Sequence, residues 1–133
     1  MKPAMQRAFA PTRVVNIKHR EPYDVYVGRA VEYRHDLKPL GWGNPWHRWN
    51  SESEAPLARY VRRTLLPQLR QPAFVERLRA LQGKTLACWC VPKGGTEGDL
   101  VHPICHAQIL AAMADLLVLV ERQNRLDESG NIP

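Results

Sequence analysis

Three cysteines and one histidine stand in two close pairs in the C-terminal half of this sequence. Cys88 and Cys90 flank a tryptophan, and Cys105 is followed directly by His106. Thiolates and imidazoles are nucleophiles, general bases and metal ligands, so this set of side chains could carry chemistry. Three interpretations are open: a reactive or ligand-binding pocket, a zinc site, and buried cysteines beside a histidine that caps a helix.

The first interpretation makes Cys88 or Cys105 a thiolate and His106 a general base or an anion contact. The zinc interpretation uses a normal ligand set, but its spacing is unusual. C-x-C followed by an adjacent Cys-His pair differs from the common C-x₂-C knuckle, and neighbouring residues rarely both reach one metal. The sequence therefore favours a metal-free crevice without a cofactor. The alternative is zinc held by Cys88, Cys90, Cys105 and His106.

The strands that would position these residues are indicated by three β-rich runs, at residues 12–17, 24–28 and 84–90. Side chains alternate along a strand, so Cys88 and Cys90 are expected on the same face. Both stand at the carboxyl end of the third run. Open α/β sheets form their ligand crevices at that end.

Apolar residues at helical spacing predict three helices. The first follows a capping box at Ser51 and Glu54 and is ended or kinked by Pro67. The second runs from Pro72 to Leu81, and the third runs from Pro103 to about Gln123. The Cys-His pair falls in the first turn of the third helix. There the positive end of the helix dipole attracts anions and lowers the pKa of a thiol.

The order of these elements, β-β-α-α-β-α, predicts an α/β fold. We expect a small, mostly parallel sheet of about three or more strands with helices packed on it, because a helical crossover usually joins parallel strands. A chain of 133 residues has the size of one domain. We place that domain at residues 12–125, between flexible tails at 1–11 and 126–133.

The composition restricts the cellular context and the partners. An odd number of cysteines argues against a disulfide framework. No secretory signal is present, and no apolar stretch is long enough to span a bilayer. We therefore expect a cytoplasmic protein with no membrane partner. The net charge of +6 permits an anionic small molecule or a nucleic acid as partner.

Three further residues are candidates for ligand binding. Arg29 follows the second predicted strand and would hold a phosphate or carboxylate at the same crevice, unless it forms a surface ion pair. Asn44 lies in a Gly-Asn-Pro turn and either contacts a ligand or bonds its own backbone. Trp46 either stacks on a base or covers the rim of the crevice.

Several segments, taken together, are similar to the domain of unknown function 4326 family, which is found in bacteria and their phages. The matching segments are Arg13–Ile17, Asp24–Arg29, Gly43–Trp46, Leu81–Cys90, Cys105–His106 and Ile109–Leu110. They span roughly residues 12 to 112. The resemblance implies a shared fold and a shared site, and it implies no activity. This chain departs from the family in a longer loop between Cys90 and Cys105.

Together these features predict a crevice that binds or processes a nucleotide-type or other phosphorylated ligand, or a nucleic-acid end. The candidate catalytic residues are Cys88, Cys90, Cys105 and His106. The candidate ligand-binding residues are Arg29, Asn44 and Trp46. The alternative is a non-enzymatic adaptor, stabilised by zinc or by apolar contacts, that binds protein or nucleic acid. No reaction type is predicted.

Overall fold

The computed structural model describes residues 9–28, 41–43 and 56–130 of the chain. Arg29, Asn44 and Trp46 lie outside these residues, as does the capping box predicted at residues 51–54. The described residues contain the four Cys and His side chains singled out from the sequence. The structure therefore bears on the geometry of that set.

The described strands build a four-stranded sheet in the order β2-β3-β1-β4. The strands are β1 (Arg13–Asn16), β2 (Val25–Tyr26), β3 (Thr85–Cys88) and β4 (Thr96–Glu97). Strand β3 is parallel to both β1 and β2, whereas β4 pairs antiparallel with β1. The predicted α/β fold is confirmed, and its sheet is mixed rather than wholly parallel. The carboxyl ends of the three parallel strands share one edge of the sheet.

Strand β4 was not predicted from the sequence. It is only two residues long and lies in the loop between Cys90 and Cys105. Alternation of apolar and polar residues cannot be recognised over two positions, because it needs at least about four. Gly95, at φ +78°, turns the chain into this strand, and a Cβ there would come within 2.9 Å of the Val14 carbonyl oxygen.

A short 3₁₀ helix (Ile17–His19) follows β1, and the α- and π-helical segments that the structure describes lie between β2 and β3 and after β4. They are α1 (Pro56–Arg59), a π-helical segment (Tyr60–Leu65), α2 (Leu66–Gln68), α3 (Pro72–Arg79) and α4 (His106–Gly130). The helical run passes through Pro67 instead of ending there. Proline lacks an N–H, and its ring crowds the carbonyl four residues earlier. The widened turns directly before it, with the Leu66 N–H on the Val61 carbonyl, give the ring room.

Two boundaries beside the cysteines differ from the prediction. Strand β3 ends at Cys88 rather than at residue 90, because the Asn16 side chain bonds the next carbonyls at Trp89 and Val91. Helix α4 begins at His106 rather than near Pro103. At its other end α4 reaches Gly130, beyond the predicted stop.

The segment before α4 forms a turn that replaces the predicted first helical turn. The Asp99 carboxylate accepts hydrogen bonds from the backbone N–H groups of Val101 and His102. The Gln108 side chain accepts from the N–H of Ile104. Backbone donors that a longer helix would leave without partners are satisfied in this way.

The main core lies between one face of the sheet and the helices. Val14, Leu86 and Cys88 face α4 and its apolar residues, among them Leu110 and Ala114. The opposite face carries a smaller buried group of Val15, Ile17, Tyr26 and Ala87. Among the helices that the structure describes, none combines the length and apolarity needed to cross a membrane.

Candidate functional site

Cys88 and Cys105 come together at the carboxyl edge of the sheet. Cys88 is the last residue of β3, and Cys105 directly precedes α4. Their Sγ atoms are 3.2 Å apart, and the residues are 1% and 2% exposed. The proximity expected from the sequence is therefore present, although the catalytic roles predicted for these residues stay predictions.

His106 is held by a hydrogen bond to the backbone just after β2. Its ring is buried, and Nε2 lies 2.7 Å from the carbonyl oxygen of Val27, which directly follows β2. A carbonyl only accepts, so Nε2 carries the proton of this hydrogen bond. In the neutral ring Nδ1 is then the acceptor, and it lies 3.7 Å from Cys105 Sγ. Adjacent residues Cys105 and His106 thus direct their polar atoms to one place.

Cys90 completes the cluster from the solvent side. The chain bends after Cys88, so the strand alternation used in the prediction does not extend to Cys90, and the residue is exposed rather than buried with Cys88. It nevertheless lies close enough to the thiols of Cys88 and Cys105 to influence the pKa of both. The three cysteines therefore form one group with a single exposed member.

The surroundings keep the buried thiols protonated. Hydrogen bonding to Cys88 and then to Cys90, followed by burial, raises the pKa of Cys105 far above its ordinary value. The hydrogen bond from Cys105 lowers the pKa of Cys88, but Cys90 and burial outweigh it, so that pKa is also raised. The predicted lowering by the helix N-terminus is thus wrong in direction. Burial and neighbouring thiols dominate over the helix dipole here.

Tyr60 was not singled out from the sequence and packs on the site. Its ring meets the His106 ring edge-on at 5.3 Å between centroids, and its hydroxyl donates to the Trp42 carbonyl oxygen at 3.0 Å. Burial, and then the nearby Cys105, raises the pKa of Tyr60. In the sequence, Tyr60 recurs with apolar residues at helical spacing, which indicates only a core position. In the structure it begins the π-helical segment. Such segments are often found at functional sites, but sequence periodicity does not reveal them.

Asn16 was also missed, and it positions the segment that carries Cys90. Its amide nitrogen donates to the carbonyl oxygens of Trp89 at 3.2 Å and Val91 at 2.8 Å. Its amide oxygen accepts from the Lys18 N–H. An asparagine at the end of a β-rich run is a common turn residue, so its type alone did not indicate this role.

Contacts along α4 position Cys105 from the other side. The Gln108 side chain donates to the Glu97 carbonyl, and the Asp99 N–H donates to the Gln108 carbonyl. Gly98 lies so close to the helix that a Cβ would come within 2.4 Å of the Ala112 nitrogen. The loop between the two cysteine pairs is longer than expected for the resembled family, and these contacts pack it against α4.

The metal alternative has specific geometric requirements. In a tetrahedral site with Zn–S bonds of about 2.3 Å, two sulfur ligands lie about 3.8 Å apart. The Cys88 and Cys105 sulfurs are closer than this, at 3.2 Å. Within residues 9–28, 41–43 and 56–130, no group of three or more His, Cys, Asp or Glu side chains is arranged to hold a metal ion. Zinc at this cluster stays a prediction.

Comparison with known proteins places the chain in a family. No curated protein and no solved structure matches it significantly. The sequence profile described as Domain of unknown function (DUF4326) matches residues 14–116, which is most of the chain and includes all four Cys and His residues of the cluster. The chain therefore belongs to the DUF4326 family, as its sequence motifs indicated.

Proposed function

We propose that the carboxyl edge of the sheet binds an anionic, phosphate-bearing ligand of nucleotide type. The observation that carries this proposal is the placement of exposed cations directly after the parallel strands, at the edge where α4 begins. Both the cations and the helix N-terminus favour negative charge. A crevice outside the carboxyl ends of parallel strands is the common ligand site of α/β sheets.

The cations come from two described segments. Lys18 and Arg20 follow β1 and are exposed. Lys93 follows β3, between Val91, which Asn16 holds, and a glycine turn, and it is also exposed. In the sequence, Arg29 comes two residues after Val27, whose carbonyl anchors His106.

Acidic groups at this edge are fewer. Glu21 lies at the glycine turn, where its Oε1 accepts from the Gly94 N–H at 2.9 Å. Asp99 lies in the turn before α4, where its carboxylate accepts from the N–H groups of Val101 and His102. Two carboxylates against Lys18, Arg20 and Lys93 leave a positive balance among the described residues of this edge, in agreement with the net charge of +6. A positive surface beside a helix N-terminus attracts phosphate more than it attracts a neutral ligand.

The test compares two lysines at opposite ends of β3. Purified protein is heated with a panel of nucleotides and sugar phosphates, because a ligand that binds only the folded chain raises its melting temperature. We expect Lys93→Gln and Arg29→Ala to reduce the rise seen with the wild type. Lys84→Gln, which changes an exposed lysine at the amino edge, is expected to leave the rise intact.

Two outcomes would contradict the proposal. Equal loss in Lys84→Gln and Lys93→Gln would mean that overall charge, not this edge, sets the affinity. No rise with any phosphorylated ligand would leave the non-enzymatic adaptor as the better description of the domain.

A further inference from the structure

The three cysteines differ in accessibility although they form one group. Cys88 and Cys105 are buried with their sulfurs in contact, whereas Cys90 is exposed on a segment that Asn16 holds two residues after Cys88. We propose that they form a thiol–disulfide exchange site, in which a reversible disulfide joins Cys88 to Cys105 and is made and broken through Cys90. This activity is separate from the anion binding proposed above.

The distance between the buried sulfurs supports the bond. At 3.2 Å, Cys88 Sγ and Cys105 Sγ need to approach by only about 1.2 Å to reach the S–S length of about 2.05 Å. Both residues lie at ends of elements, Cys88 at the last position of β3 and Cys105 just before α4. Residues at element ends can shift without breaking the hydrogen bonds inside the strand or the helix.

Accessibility assigns the first step to Cys90. A reagent in solution cannot reach sulfurs in residues that are 1% and 2% exposed. Cys90 is exposed, and the Asn16 hydrogen bonds to Trp89 and Val91 hold its segment beside the buried pair. This position suits a thiol that reacts first with a reagent in solution and then exchanges its disulfide with the buried cysteines.

His106 provides an acceptor for the proton that Cys105 must lose. Its Nδ1 lies 3.7 Å from Cys105 Sγ, while Nε2–H is committed to the Val27 carbonyl. The thiolate, not the thiol, attacks a disulfide. Transfer of the thiol proton to Nδ1 therefore prepares Cys105 at the moment of exchange, although its resting state is protonated.

The exchange balances with a low-molecular-weight disulfide, RSSR, as the oxidant. The Cys90 thiolate attacks RSSR, which forms a mixed disulfide on Cys90 and releases RS⁻. Cys105, deprotonated by His106, then attacks Cys90 Sγ and releases the second RS⁻. Cys88 finally attacks Cys105 Sγ, and its proton passes to the departing Cys90 sulfur, which is freed as a thiol. The protons given up by Cys90 and, through His106, by Cys105 neutralise the two RS⁻. In sum, two protein thiols lose two electrons and two protons, and RSSR becomes two RSH.

The experiment follows this disulfide by mass spectrometry. Reduced full-length protein is treated with oxidised glutathione, remaining thiols are blocked with N-ethylmaleimide, and the product is digested with trypsin. Cleavage after Lys84, Lys93 and Arg122 yields peptides 85–93 and 94–122. We expect these two peptides to be joined, with the N-ethylmaleimide label on Cys90. A chain with no internal disulfide, or with only glutathione on Cys90, would overturn the proposal.

Variants assign the order of steps. Cys90→Ser removes an exposed thiol, so it should fold, and we expect it to slow formation of the Cys88–Cys105 disulfide at least tenfold. An unchanged rate would overturn the role of Cys90. Cys88→Ser should stop at a Cys90–Cys105 disulfide. If thiols of the wild type react only after a chelator is added, a bound metal holds them and the exchange site is excluded.

Discussion

The two ends of the sheet connect to α4 through different chemistry. At the amino end, Asp115 of α4 accepts from both the N–H and the hydroxyl of Thr12, and Gln82 donates to the same carboxylate. The Thr12 hydroxyl in turn accepts from the Gly83 N–H. At the carboxyl end, the polar contacts described for the Cys105 and His106 side chains include a thiol, an imidazole and a main-chain carbonyl, and the Tyr60 ring packs on His106.

This difference separates stability from reactivity. The oxygen and nitrogen groups of the amino end form strong, directional hydrogen bonds, and Thr12 is fully buried among them. Thiols are weak donors and weak acceptors, so their mutual contacts contribute less to folding and leave the sulfurs able to react. The amino end therefore anchors α4, and the reactivity proposed above belongs to the carboxyl end.

The largest effect is expected from removing the amino-end carboxylate. Asp115→Ala removes the acceptor of the Thr12 N–H and hydroxyl and one of the two acceptors of the Gln82 amide, and it should destabilise the fold by about 3 kcal/mol. Urea unfolding measures this change. The reactivity of Cys90 toward a thiol reagent in the folded variant should equal that of the wild type. A large change in that rate would show that the two ends are coupled.

A pair of amide side chains gives a matched comparison of the two ends. Asn16 and Gln82 each donate to two acceptors, but Asn16 is buried and its acceptors are main-chain carbonyls beside Cys90. Asn16→Ala should cost about 2 kcal/mol and change the rate of Cys90 modification. Gln82→Ala should cost less than about 1 kcal/mol and leave that rate unchanged. Equal effects on the rate would contradict a positioning role for Asn16.

Alkaline pH should weaken the carboxyl end selectively. The raised pKa of Cys105 means that the folded chain keeps a proton which the unfolded chain loses above the ordinary thiol pKa of about 8.5. This contribution to stability is present below that pH and is lost as pH rises above it, at about 1.4 kcal/mol per pH unit for each retained proton. Between pH 8 and 10, the free energy of unfolding should fall less steeply with pH for Cys105→Ala than for the wild type. If the two curves run parallel, Cys105 is not the source of the pH dependence.

The smallest effect is expected at the turn before α4. Hydrogen bonds from the N–H groups of His102 and then Val101 lower the pKa of Asp99. The contribution of Asp99 to the stability of the fold is therefore present above the ordinary carboxyl pKa. It is lost as the pH falls through the lowered pKa of Asp99 in the folded chain. Asp99→Asn should lower the melting temperature slightly at neutral pH, and the difference from wild type should shrink toward pH 3. Asp127→Asn, near the end of α4, is the control and should show no such convergence.

The sequence predicted the strands and the approach of the cysteines, but it did not reveal the residues and turns that hold them in place. Short β-rich runs and the turn residues beside them indicated β1, β2 and β3. The predicted end of β3 and the predicted start of the last helix brought Cys88 and Cys105 to one edge. These signals are local, so the sequence alone shows them. Strand β4 is too short for a pattern, and the π-helical turns before Pro67 depend on ring geometry. The role of Asn16 depends on carbonyls more than seventy residues away in the chain. Long-range hydrogen bonds of this kind leave no local signal.

The strand order has a consequence for how the chain reaches this structure. Strands β1 and β2 are close in sequence but do not pair, because β3 lies between them and is the parallel partner of both. A nascent chain that has not yet reached Thr85 has no partner for either strand, so a local hairpin cannot start the sheet. Such pairing between distant segments slows folding. Synthesis of β3 is thus the event that allows the three parallel strands to pair, and β4 joins β1 after it.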